Sequence, residues 1–186
     1  SVQDYAPQAI ARQIEANLDF LATTMRDVPA QHKSLRAVFE HSWNRLAEAE
    51  RRTLCQLSVF RGGFREAAAE SAADGNRAIL IGLERKSLLR RDHSGRYEML
   101  ETIRQCAAEK LRANEQAESA ARLAHALCFA DFLREREEKL KRGDAKILEQ
   151  VAEEIENVRA GWLWAAAQGE VEPIARALEG LTLFYE

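Results

Sequence analysis

Apolar residues recur three and four apart along most of this chain, and one stretch, Ser87 to Leu100, breaks that period. There Ser87-Leu88-Leu89-Arg90-Arg91 and Arg96-Tyr97-Glu98-Met99-Leu100 flank Asp92-His93-Ser94-Gly95. The pattern predicts two short extended runs around a glycine-containing turn. Three helical segments precede it. One runs from Glu48 through Leu54, Leu57 and Ser58 and stops before Gly62-Gly63; one is Ala-rich, residues 65–73; the third spans Arg77 to Lys86 after the turn Asp74-Gly75-Asn76. Helix, helix, helix, hairpin is the order of a winged helix-turn-helix.

The flanks read as helix. Pro7 suits a first turn, and Ile10, Ile14, Leu18 and Leu21 follow as one stripe that Pro29 ends. A further helix is predicted from Ser34, as its N-cap, through Leu35, Val38, Phe39, Trp43 and Leu46. Beyond Glu101 three stripes succeed one another: Leu123, Leu127, Ala130 and Leu133; Leu148, Val151, Ile155, Val158 and Trp162; Ile174, Leu178, Leu181 and Tyr185. Gly143-Asp144 and Gly169 with Pro173 separate them, so the expectation is antiparallel hairpins in a helical-repeat array. No self-similarity strong enough for a tetratricopeptide consensus is present. The last residues, Phe184-Tyr185-Glu186, stay apolar to the end and read as a cut through a longer array. The expected fold is therefore mainly α: a winged helix-turn-helix with a short β-hairpin, followed by antiparallel, TPR-like helical hairpins.

Charge is divided along the chain. Residues 33–100 carry 13 basic and 9 acidic side chains, whereas residues 101–186 carry 12 and 17. A basic centre thus precedes an acidic half. No apolar run approaches membrane-spanning length, and the N-terminus has no signal-peptide pattern. Cys55, Cys106 and Cys128 are odd in number and widely spaced, which fits apolar fillers in a reducing, cytoplasmic setting. The four histidines fall too far apart for a shared metal site on one helix face.

Several runs together resemble a known group: His32-Lys33-Ser34-Leu35-Arg36-Ala37-Val38-Phe39, His41-Ser42-Trp43, Leu57-Ser58-Val59-Phe60-Arg61-Gly62-Gly63-Phe64, Lys86-Ser87-Leu88-Leu89, and Arg96 to Gln105. Glu154-Ile155-Glu156-Asn157-Val158-Arg159-Ala160 and Trp164-Ala165 continue the likeness. In this order they resemble bacterial regulators of the STAND class, signal-transduction ATPases with numerous domains, which include MalT-like and AfsR-like transcriptional activators. The resemblance covers roughly residues 10–170. It implies residues 1–32 as the end of a helical lid, 33–113 as a winged-helix domain with its connecting helix, and 114–186 as the start of a repeat array. It also implies an intramolecular nucleotide-binding domain upstream that holds ATP or ADP, and a protein or small-molecule inducer.

The chain itself contains no GxxxxGK[ST], so no phosphate-cradling loop is present and no cofactor is expected in this segment. In many members of the class the winged helix ends in Met-His-Asp, whose His reaches the β-phosphate of ADP. The matching positions are Met99, Leu100 and Glu101, and Leu100 has no donor for that contact. Glu101 remains to take the acid's part, by orienting a helix end or pairing with a basic lid residue, but a plain first-turn acid on the following helix is the preferred reading.

Arg77, Arg85, Lys86, Arg90, Arg91 and Arg96 cluster on the predicted third helix and wing, either for DNA phosphates or for an interdomain contact. The helix from Arg77 to Glu84 is mostly apolar and lacks the Asn, Gln or multiple Arg of a base-reading face. Docking on protein is therefore preferred over DNA. Ile81, left over by the inward Ile79, Leu80 and Leu83, and Trp164, off its stripe, are the candidate partner surface. Trp43 and Trp162 fall on stripes as core. The run Arg134 to Arg142 reads as a solvated helix face, and the adjacent Glu153 and Glu154 point in different directions, which does not suit shared acid–base work. Three functions follow: a non-catalytic regulatory segment of a STAND-type ATPase, a DNA-binding wing module, or an autonomous helical-repeat scaffold.

Overall fold

The computed structural model describes residues 30–186, with side-chain burial from Arg36 onward. The expected N-terminal stripe from Ile10 to Leu21 lies outside the described residues, as does most of the 1–32 segment that the resemblance implies as the end of a helical lid. The chain divides into two compact units, residues 1–40 and 41–186. Helix α1 spans Ala30–Asn44. It begins ahead of the predicted Ser34 cap: proline at position 29 is as well suited to opening a helix as to ending one.

The winged helix has the predicted order. Helices α2 (Glu48–Leu57), α3 (Glu66–Ala72) and α4 (Arg77–Arg85) are followed by strands β1 (Arg90–Arg91) and β2 (Tyr97–Glu98). The strands pair antiparallel, Arg90 opposite Glu98 and Arg91 opposite Tyr97. Asp92 closes the tip, its Oδ1 accepting from the amides of Ser94 (2.8 Å) and Arg96 (3.0 Å). A third extended position adds to this sheet: Phe64 and Tyr97 exchange both backbone hydrogen bonds, at 2.9 and 2.8 Å. This pairing ties the segment after α2 to the wing. Helix α4 starts on Asn76, whose Oδ1 accepts from the Ile79 amide at 3.1 Å. Leu54, Leu57, Phe64, Leu80, Leu83 and Tyr97 form its fully buried core. Each large apolar side chain there contributes about 1.5–3 kcal/mol.

Helix α5 (Glu101–Arg112) leads to α6 (Glu115–Arg134), and the short α7 (Glu137–Leu140), α8 (Ala145–Gln168) and α9 (Val171–Tyr185) complete the chain. Asn114 separates α5 from α6 by capping the latter through Ala117. The charged run from Arg134 to Arg142 is not one helix face. Helix α6 stops at Arg134, and α7 makes a single turn anchored by buried Leu140, a break that the balanced charges conceal.

Helices α6, α8 and α9 pack on one another through small residues, and this rotates two predicted stripes. On α9 the buried positions are Pro173, Ala177 and Gly180, while Leu178 and Tyr185 are exposed. A Cβ on Gly180 would lie 3.0 Å from Leu133 Cβ, and one on Gly161 of α8 would lie 3.0 Å from Ala126 Cα. Close approach of backbones decides these faces, and apolar periodicity does not report it. On α8 the buried set includes Glu154 and Asn157, and Trp162 is only half-buried. Trp43 is likewise half-buried, with the Arg51 guanidinium 5.7 Å and Lys110 Nζ 5.2 Å from its ring centroid. Among the described residues no helix is long and apolar enough to cross a membrane.

Replacing Gly180 with leucine should lower unfolding stability by about 1–3 kcal/mol through overpacking against Leu133. Urea denaturation checks this; an unchanged midpoint would contradict the close α6–α9 contact.

Candidate functional site

The most densely bonded polar group of the 41–186 unit lies where the winged helix meets α8. Two glycines make it possible. Gly62 and Gly63 have φ of +72° and +81°, and a Cβ on Gly63 would fall 2.8 Å from the Tyr97 carbonyl oxygen. The left-handed turn therefore sits flush against the wing and presents its backbone to α8.

Asn157 receives that backbone. Its Oδ1 accepts from the Arg61 amide at 2.6 Å, and its Nδ2 donates to the Gly63 carbonyl at 2.9 Å and to Glu154 Oε2 at 3.0 Å. One turn earlier on α8, Glu154 takes both terminal nitrogens of Arg96, one of them at 3.1 Å. Arg96 Nη2 also donates to the carbonyls of Gly62 (3.3 Å) and Glu153 (3.4 Å). Arg96 is 9% exposed, Glu154 5% and Asn157 0%, so each depends on these partners for the hydrogen bonds water would have supplied. The hydrogen bonds to Glu154 hold the Arg96 guanidinium above its ordinary range.

His125 of α6 completes the cluster. Its Nε2 lies 3.3 Å from Asn157 Oδ1, an acceptor only, so Nε2 carries the proton. Its ring meets Phe60 edge-on, with centroids 4.8 Å apart. Burial pushes its pKa down to about 4, keeping the ring neutral. At the surface, Arg65 bonds Glu153 at 2.9 Å, a second ion pair between winged helix and α8.

The basic residues of the third helix and wing divide by environment. Lys86 is paired with Glu50 (2.6 Å) and Arg90 with Glu98 (2.6 Å), while the Arg91 guanidinium lies 5.4 Å from the Tyr97 ring centroid. Arg96 points inward, so its candidacy as a DNA contact is corrected; it makes the contact to the helical array. Arg77 and Arg85 are exposed, with no acidic partner among the described residues. Ile81 and Trp164, both half-buried, sit on different elements, α4 and α8. Trp164 borders a shallow cleft with Glu115, Glu118, Arg122 and Gln168.

Met99 and Glu101 line a cleft of about 250 Å³ beside Arg61, Gly62, Gly63 and Arg104, while Leu100 is 63% exposed. Glu101 bonds Arg104 Nε at 2.7 Å and Gln105 Nε2 at 2.8 Å. Burial pushes the Glu101 carboxyl up, but its hydrogen bonds and the Arg104 charge outweigh this and hold it below the usual range. Sequence reasoning missed Glu154, Asn157 and His125 as a joint, because polar residues on a helix are read as solvent-facing. The signal available was the Glu154–Ala160 motif itself.

Replacing Arg96 with Met should cost about 3–5 kcal/mol in unfolding free energy, by leaving Glu154 buried and unpaired; the Arg96→Met, Glu154→Met pair should cost less. Equal losses in both variants would contradict the pairing. Acid should weaken the fold through His125. Below pH 6.5 the unfolded imidazole takes up a proton that the folded one refuses until about pH 4. Stability should therefore fall by up to about 3 kcal/mol as pH drops from 6.5 to 4. His125→Gln should flatten that dependence in denaturation series, and an undiminished slope would exclude His125 as its source.

No protein-family model matches the chain, and no solved structure matches it. Curated relatives do. The chain is similar to "Putative HTH-type transcriptional regulator Rv0890c" of Mycobacterium tuberculosis and to "Putative HTH-type transcriptional regulator Mb0914c" of Mycobacterium bovis, each 26% identical over 180 residues. The match takes in 91% of this chain and 20% of each relative, so the chain spans about a fifth of their length.

Proposed function

We propose that this segment is the non-catalytic coupling joint of a cytoplasmic STAND-type regulator of transcription, joining a nucleotide-binding domain upstream to a TPR-like sensing array. The observation that carries this reading is the clasp of Arg96, Glu154 and Asn157 on the Gly62-Gly63 turn. A winged helix bonded this way to α8 moves with the first array helices as one body, so displacement from either side passes through the clasp as well as through α5. The order of sequence motifs supports the assignment to the class, and the similarity to transcriptional regulators supports the output. The segment performs no ATP chemistry of its own, since it has no phosphate loop. Protein-facing contacts, rather than DNA, are the role of most wing cations, three of which are bound to acids.

The test uses the full-length regulator with its own promoter in a transcription reporter. Asn157→Ala should leave ATP binding by the upstream domain within about twofold and lower inducer-dependent transcription at least tenfold. Full induction in that variant, or a gene with no P-loop upstream of Ser1, would overturn the proposal.

Exposed Arg77 and Arg85 favour one second reading, a wing module that touches DNA phosphates. It requires salt-sensitive duplex binding that is lost in Arg77→Glu, Arg85→Glu, and an unaffected gel shift would remove it.

A further inference from the structure

We propose that the groove between α3 and α6 is a binding site for an uncharged, largely apolar small molecule. The groove encloses about 630 Å³, within the range of small-molecule sites. Its existence follows from size: α3 offers only Ala67, Ala68 and Ser71, short side chains that leave unfilled the space in front of Leu127, Cys128 and Phe132 of α6. Well-packed helix pairs do not leave such a gap. Ala68, Leu127, Cys128 and Phe132 are only half-buried, so a molecule lying on them takes their apolar surface out of water.

The class of ligand follows from how the charges around the groove are engaged. Arg65 is paired with Glu153 at 2.9 Å and donates to the Ser94 carbonyl at 3.3 Å. Asp131 receives two bonds from Arg176 at 2.9 Å, and Glu154 is taken by Arg96 and Asn157. Glu135 and Arg136 face each other at 3.6 Å, and Arg136 also donates to the Phe132 carbonyl at 2.8 Å and to Gln150 Oε1 at 3.4 Å. Every ionised side chain of the lining therefore has an opposite charge of its own, and cations and anions cancel pairwise. An ionised ligand would lose its hydration without gaining a counter-charge, or would have to break one of these pairs. An uncharged ligand does neither. The remaining polar groups of the lining, the Ser71 hydroxyl and the Cys128 thiol, are neutral; burial pushes the thiol up from its ordinary range and keeps it so. They can bond one hydroxyl, amine or carbonyl on an otherwise apolar body. Glu154 belongs to both groove and clasp, so a molecule held between α3 and α6 lies at the joint of winged helix and array. This site does not depend on the regulatory reading above.

Fluorescence titration of this chain with N-phenyl-1-naphthylamine, a flat uncharged probe, tests the site. One saturable site per chain is expected, and it should be lost in Ala68→Phe, which fills the groove, while far-UV circular dichroism stays native. The anionic probe 8-anilinonaphthalene-1-sulfonate, the same body with a sulfonate added, and the cation 1-naphthylmethylammonium should each bind at least about tenfold more weakly. Saturating uncharged probe should also slow the reaction of Cys128, which lines the groove, with 4,4′-dithiodipyridine, read by peptide mass in the unaltered chain. That readout decides the question even where the groove-filling variant fails to fold. No binding of the uncharged probe, binding retained in a natively folded Ala68→Phe, equal or tighter binding of either charged probe, or an unprotected Cys128 would each overturn the proposal.

Discussion

A buried charge pair holds this structure to one arrangement. Arg96 comes from the wing and Glu154 from the middle of α8, 58 residues later, and neither can leave the other without stranding a charge away from water. An apolar contact tolerates sliding, because one methyl group replaces another at small cost. The clasp does not, since Asn157 simultaneously holds the Arg61 amide and the Gly63 carbonyl, and a shift of an ångström breaks both. Register between winged helix and array is therefore set by polar geometry, while the apolar layers beneath supply most of the free energy.

The same arrangement gives physical meaning to the uneven charge along the chain. The basic centre and acidic C-terminal half face each other in Arg96–Glu154 and Arg65–Glu153. These pairs lie within one compact unit, and of the third-helix and wing cations those left exposed with no acid partner among the described residues, Arg77, Arg85 and Arg91, are too few to make a strongly basic face. Much of the charge of the wing is spent on its own chain.

Much of the fold was legible in the sequence, because helices and turns leave local marks. Gly62-Gly63, Asp74-Gly75-Asn76 and Asp92 to Gly95 punctuate the winged helix, and the structure keeps every one of these breaks. What periodicity missed are the places where a non-apolar residue occupies an interior position. Glu154 and Asn157 look solvent-facing until the turn they bind is brought beside them. Gly180 and Gly161 look like weak helix positions until α6 is found against them. The end of α9 shows the reverse error, with Leu178 and Tyr185 apolar yet exposed, because the helix turns its small face inward. Long-range pairing decides all of these, and no local window contains it.

The most direct measurement of the clasp is native-state amide hydrogen exchange at Arg61, whose N–H donates to Asn157 Oδ1. If the joint opens only when the unit unfolds, this amide exchanges with the same free energy as those of Val151 and Val158 in the core of α8. Exchange of the Arg61 amide at the rate of the wing-tip amides, while the α8 core stays protected, would show a joint that opens freely and would contradict the account.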